Sequence, residues 1–201
     1  YYRTADGTGL PHDPLNAIVG PRPIGWISSL SATGTANLAP YSFFNAFNYR
    51  PPIVGFASIG WKDSVANIDA TGEFVWNLAT RALSTAMNET SAAVAPDEDE
   101  FVRSGLTPVP ATLVAPPRVL ESPVNFECVV TQQIQLRGTD EQPIDTWLTL
   151  GQVVAVHIDS ELLVDGVYDT AAARPILRAG GPGGYAEIRP DTMFEMMRPE
   201  N

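Results

Sequence analysis

The chain has 201 residues, 44% of them hydrophobic and 17% charged, which suits one folded domain with a sizeable core and excludes a disordered chain. Its formal net charge of −11 at pH 7 repels phosphate backbones and anionic headgroups, arguing against nucleic acid or a membrane surface as a partner. The single cysteine, Cys128, excludes an internal disulfide and a cysteine-based zinc site, and no apolar run approaches the ~20 residues of a membrane span.

Residues 1–23 carry Pro11, Pro14, Pro21 and Pro23 and no clear periodicity, so they read as an extended arm. The first strand is Ile24 to Ser31, with a glycine-containing turn at Ala32-Thr33-Gly34 and a second strand at Thr35 to Ala39: a hairpin. The chain must turn again over Tyr41 to Asn45. Ile53 to Ile59 is nearly continuously apolar and of strand length, which suggests burial on both faces. After the loop Gly60 to Asp63, Ser64 stands where a helix cap belongs, ahead of Val65 to Ala70, and Thr71-Gly72 ends that helix.

Glu73 to Ala79 is the next strand, and Leu83 to Asn88 is helical. Ala95 to Glu100 is an acidic run that reads as a solvated helix start, with its acids near the positive end of the helix dipole. Glu121 to Leu136 and Thr146 to Ile158 are the longest β-rich segments, joined by a polar turn at Gly138 to Pro143. Cys128 falls in the first of them and reads as a small core residue. Asp169 to Ala173 is expected as a short helix and Arg178 to Tyr185 as a glycine-rich loop. The tail from Pro190 fits either a last helical turn or a disordered end. Strands with few helices and short loops favour a barrel over a doubly wound sheet. One domain is expected over 1–201, with its core at about 15–185, an arm at 1–14 and a tail at 186–201.

Two stretches suggest a binding site. In Ser58 to Asn67 a buried strand runs through a loop into a helix N-terminus, whose unpaired N–H groups suit a phosphate. Ser64 and Asn67 add donors to the first turn, and Lys62 is the only lysine of the chain. The same residues also fit an ordinary cap with a solvated lysine, and Asp63 favours a phosphate only if it points away or holds Lys62. In Asn37 to Asn45 a turn between aromatics offers backbone N–H and C=O partners for a flat heterocycle, or else places Phe43, Phe44 and Phe47 in the core. Trp26 and Ser28 share one face of the first strand by the period of two. His12 and His157 are the only histidines and form no metal-ligand spacing; His157 reads first as a structural histidine. No nucleotide-binding glycine motif, metalloprotease motif or nucleophile elbow is present.

Taken in order, Pro21 to Ser29, Asn37 to Asn45, Pro51-Pro52, Lys62-Asp63-Ser64 with Asn67, Glu73 to Leu78, Pro123 to Glu127 and Gly151 to Val154 resemble the FMN-binding split-barrel flavin reductases, the flavin reductase-like family. The resemblance spans about residues 15–185. It implies a mainly β fold, a six-stranded antiparallel Greek-key split β-barrel with a few short flanking helices. It also implies a homodimer with the flavin near the subunit interface, and with no signal peptide visible in the sequence the expected location is cytoplasmic. The cofactor implied is FMN, sometimes FAD, reduced by NADH or NADPH; the reduced flavin often passes to a monooxygenase partner. By position, Asn37, Ala39, Pro40, Tyr41 and Ser42 would follow the isoalloxazine edge, Ser58, Lys62, Ser64 and Asn67 would approach the phosphate, and Trp26 and Ser28 would line the pocket. No catalytic side chain is implied, because hydride transfer between two cofactors needs positioning more than acid–base machinery. Many relatives carry Asp-His where this chain has Asp145-Thr146, which leaves room for an FMN-bound oxidoreductase with another small-molecule substrate, or for a flavin carrier.

Overall fold

A computed structural model describes residues 1–95 and 98–199. Two strands open the domain, β1 (Arg22–Pro23) and β2 (Gly25–Leu30), and β3 (Ala36–Tyr41), β4 (Phe44–Tyr49) and β5 (Pro52–Ile59) follow through short turns. The expected hairpin is present: β2 and β3 pair antiparallel from Gly25↔Tyr41 to Leu30↔Ala36. Before β1 lies a four-residue helix, α1 (Leu15–Ile18), so the expected arm is not extended throughout. After β5 come α2 (Asp63–Thr71), β6 (Glu73–Asn77), α3 (Ser84–Glu89) and α4 (Glu100–Ser104). Gly72 closes α2 at φ +74°, in the left-handed region where glycine carries no Cβ penalty.

The short strands β7 (Pro108–Val109) and β8 (Arg118–Val119) precede the two longest, β9 (Val124–Arg137) and β10 (Pro143–Ile158), which form a hairpin. The chain ends through β11 (Leu163–Val164), β12 (Val167–Tyr168), β13 (Ile176–Gly180) and β14 (Gly184–Glu187). Two expectations are corrected here. Asp169 to Ala173 is a turn, not a helix: the Asp169 carboxylate accepts from the N–H groups of Ala171 and Ala172, a local bond that competes with helix. Arg178 to Tyr185 is a strand hairpin, not a loop. The Arg178 guanidinium donates to the carbonyls of Gly180, Gly181 and Gly184 and so supplies the order a glycine-rich sequence lacks.

The main sheet is antiparallel throughout, in the order β3-β2-β6-β9-β10-β5-β4, with β1-β13-β14 as a smaller second sheet. Strands β2, β3, β5, β6, β9 and β10 all send side chains into one cluster built on Ile27, Tyr41, Phe56, Phe74, Trp76, Cys128 and Val153, with Ile68 of α2. Cys128 is buried there as expected, and burial pushes its thiol pKa up. Alternation puts Trp26 on the opposite face, in a second cluster with Leu38, Met87, Phe101 and Val119. The two faces explain the continuously apolar run of β5, although it ends in an Ile59 that is exposed.

Candidate functional site

A cleft of about 300 Å³ opens where β3, the start of α2, the segment after α3 and the start of α4 meet. Asn37, Ala39, Pro40 and Tyr41 form one wall and Lys62, Asp63 and Ser64 another; Thr90 to Val94 and Glu100 complete it. A smaller cleft of about 210 Å³ shares Asn37, Asp63 and Glu100 with it and includes Asn67. The fold therefore brings the two predicted stretches together, although they are separated in sequence by β4 and β5.

Ser64 is not the helix cap the sequence suggests. Lys62 occupies the cap with extended backbone, and no side chain caps the helix. Ser64 is the second residue of the helix; it is buried, and its hydroxyl accepts from Asn37 Nδ2 at 2.8 Å. That bond starts a polar network. Asn37 and Asn67 both donate to Ser29 Oγ, at 3.4 and 3.2 Å, and Ser64 and Ser58 stand beside the Tyr41 hydroxyl. Ser58 in turn donates to the Gly60 carbonyl at 2.9 Å. Burial raises the Tyr41 pKa, so the phenol keeps its proton and its capacity to donate.

The start of α2 consequently presents N–H groups that no side chain takes, on a loop that also carries Lys62. Lys62 is exposed and makes no ion pair with Asp63 among the described residues. Asp63 lines the cleft itself, so it neither points away nor holds the lysine.

Four expected residues lie elsewhere, Ser58 among them: it is buried near the end of β5 and lines neither cleft. Trp26 and Ser28 are 0% exposed and do not line the cleft. The indole N–H of Trp26 donates to Thr90 Oγ1 at 3.0 Å and the Ser28 hydroxyl donates to the Pro117 carbonyl, both on the second, helix-covered face of the sheet. Their shared face was read correctly; it is the one turned into the core. Ser42 sits past the end of β3, where its carbonyl accepts from Arg22 Nε at 3.0 Å, outside the cleft. Phe43 and Phe47 are exposed rather than core, and Phe44 packs at the core's edge.

Within this geometry the deciding comparison is of the sequence as a whole: a family model described as flavin reductase like domain matches residues 20–176. The chain belongs to the flavin reductase-like family. An uncharacterized protein of Halalkalibacterium halodurans is 35% identical over 92% of this chain and 89% of its own length. Among solved structures, nitrilotriacetate monooxygenase component B from Bacillus cereus superposes with a TM-score of 0.83 at 30% identity, covering 94% of this chain and all of that one. The 2-nitrobenzoate 2-nitroreductase of Pseudomonas fluorescens reaches a TM-score of 0.84 at 25% identity over 99% and 96%.

Two features of this flavin reductase-like chain escape sequence reading. Glu100 was expected in a solvated helix start. Asp99 does cap α4, accepting from Phe101 N at 2.8 Å, but Glu100 is buried against β3, where it accepts from Leu38 N at 3.2 Å; Pro96 and Asp97 of that run lie outside the described residues. Trp147 Nε1 is the one buried side-chain donor without a partner among the described residues. Trp147 faces Ser58 across β5 and β10, and its ring meets Trp61 edge-on at 4.5 Å. His157 does not line the cleft; it pairs with Glu127 at 2.5 Å, the structural role its sequence context suggested.

Proposed function

We propose that this chain binds FMN in the 300 Å³ cleft and acts as a flavin reductase, taking hydride from NADH or NADPH. The phosphate would sit on the open start of α2, held by Lys62 and the first-turn N–H groups, with Ser64, Ser58 and Asn67 behind them. The ring edge would follow Asn37, Ala39, Pro40 and Tyr41 of β3. The observation that carries this reading is the uncapped α2 N-terminus facing a cleft that also holds the chain's only lysine. When bound, FMN would supply the redox chemistry; the chain's own residues bind it, orient it and shield one side from water.

A homodimer, closure of the large sheet into a split barrel, and delivery of reduced flavin to a monooxygenase belong to the same proposal. The barrel is supported by the strands that share one core cluster, and the delivery role by likeness to a monooxygenase component B. Thr146, standing where many relatives have histidine, favours a second reading: an FMN-bound oxidoreductase reducing another small molecule, in keeping with the likeness to a nitroreductase.

A visible spectrum during titration with FMN, followed by anaerobic NADH, tests both. A bound-flavin spectrum that bleaches with NADH supports the reductase; bound flavin that resists NADH and NADPH supports the second reading; no binding rejects both. Lys62→Ala should raise the FMN dissociation constant about tenfold by removing a charge-assisted contact of roughly 1.5 kcal/mol. An unchanged constant would remove the lysine from the site.

A further inference from the structure

The charges around the cleft do not favour a phosphate as they stand. Among the described residues Lys62 is its only cationic lining residue, against two carboxyl groups, Asp63 and Glu100. Glu100 is only 6% exposed, and its one bond from outside its own helix is the Leu38 N–H of the edge strand β3. No cation pairs with it among the described residues. Arg103, one turn on in α4, is held instead by Glu98 at 2.9 Å and by Glu89 of α3 at 3.8 Å. The other charged or titratable groups around Glu100 are Asp63 and Lys62 from α2, Tyr41 from β3 and its own neighbour Asp99. Of the charged groups that share the cleft with this carboxyl, Lys62 alone among the described residues is positive.

We infer that Glu100 is a specificity-determining residue that selects ligands by charge: the cleft accepts a phosphate-bearing flavin when Glu100 carries a proton, and resists it when Glu100 is ionised, while an uncharged flavin is indifferent. The inference rests on the proposed flavin site. Its physical basis is that two like charges in one small cleft repel strongly where water is thin, whereas a neutral carboxyl repels nothing and can donate. Burial raises the Glu100 pKa, and Asp63 and Asp99 add to it against the opposing backbone N–H bonds, so protonation is reachable above the ordinary glutamate range. Binding a phosphate nearby would raise it further, which couples ligand uptake to proton uptake by linkage.

Fluorescence titrations of wild type and Glu100→Gln with FMN and with riboflavin, at pH 5.5 and pH 8, decide it. Glutamine keeps an oxygen for the Leu38 N–H and cannot ionise. At pH 8 the variant should bind FMN about tenfold more tightly than wild type, the gap should narrow at pH 5.5, and riboflavin should bind both proteins alike. Because the FMN phosphate itself titrates near pH 6, the comparison is between proteins at each pH. Should the variant not fold, wild type with riboflavin 5′-sulfate, an anion of fixed charge, gives the answer: affinity falling from pH 5.5 to pH 8 supports the role. Equal FMN affinity in the two proteins, equal change for both flavins, or a flat profile with the sulfate ester overturns it. If wild type binds no flavin at any pH, the flavin site itself is lost and this role with it.

Discussion

Glu127 is 0% exposed, a place where a carboxylate survives only if its oxygens are fully engaged. Burial alone would raise its pKa. The His157 contact at 2.5 Å and the N–H groups of Thr112 at 2.7 Å and Leu113 at 2.6 Å outweigh burial, and the net pKa is lowered. A carboxyl lowered on folding contributes stability that is fully present above its unfolded value of about 4.3 and is lost as pH falls through the lower folded value. Glu127→Gln should therefore cost about 1–3 kcal/mol at pH 7, since one of the loop N–H groups loses its acceptor. Urea midpoints of the two proteins should converge as pH drops below about 4; a gap that stays constant to pH 3 would mean the charge contributes nothing. Such a residue is invisible in sequence because its partners come from a loop 15 positions before it and a strand 30 after. The same holds for Glu100: four acids in a row look solvated, and only the placement of α4 against β3 buries one of them. That Lys62, Ser64 and Asn67 lie close together could be read from sequence, because all three belong to one loop–helix unit.

At the level of elements, local signals served well where one hydrophobic period or one turn residue decides the outcome, as in the β2–β3 hairpin and the Gly72 end of α2. They failed where a side chain overrides composition, as in the hairpin that Arg178 pins among glycines. Gly151 shows a third case, a glycine demanded by packing across strands. It lies in β10 opposite Val130 of β9 and Val54 of β5. A Cβ there would stand 2.4 Å from Phe74 Cε1 and 3.2 Å from Cys128 Cβ. Phe74 is 0% exposed and packs edge-on against Phe56 at 5.9 Å, so it has no room to retreat. Gly151→Ala should cost about 1–3 kcal/mol through overpacking, read as a drop in Tm of several degrees, even though alanine is no worse than glycine in an isolated strand. A Tm equal to wild type would show that the β9–β10 region yields more than a packed core should.

For the whole molecule, the outstanding question is what covers its apolar surface. Val156 and Ile158 follow the period of two at the end of β10 and are 50% and 41% exposed, and Val154, at the irregularity just before them, is 37% exposed. Val156 and Ile158 continue into a groove of about 460 Å³ floored by Phe44, Trp76, Phe126 and Tyr168, with almost no polar atom on its walls. Sequence reading could not have located this face, because the residues come from strands that meet only after the sheet has formed. An acidic chain carrying such a strip in water gains by burying it, and a second copy of itself is the partner always present at matching concentration. We therefore expect a dimer in solution with this face inside it. Val156→Glu places a carboxylate in the middle of the strip, where pairing two copies would bury two like charges without counter-ions. Light scattering after gel filtration should give twice the chain mass for wild type and the single mass for the variant, with the far-ultraviolet spectrum unchanged. A wild type that is monomeric throughout, or a variant that stays dimeric, would mean that this face is not where the copies meet. Because FMN binding is proposed in a cleft lined by β3 and α2, the monomeric variant also separates two roles: if its FMN affinity matches wild type, each subunit builds its phosphate site alone, and if affinity is lost, the partner completes it.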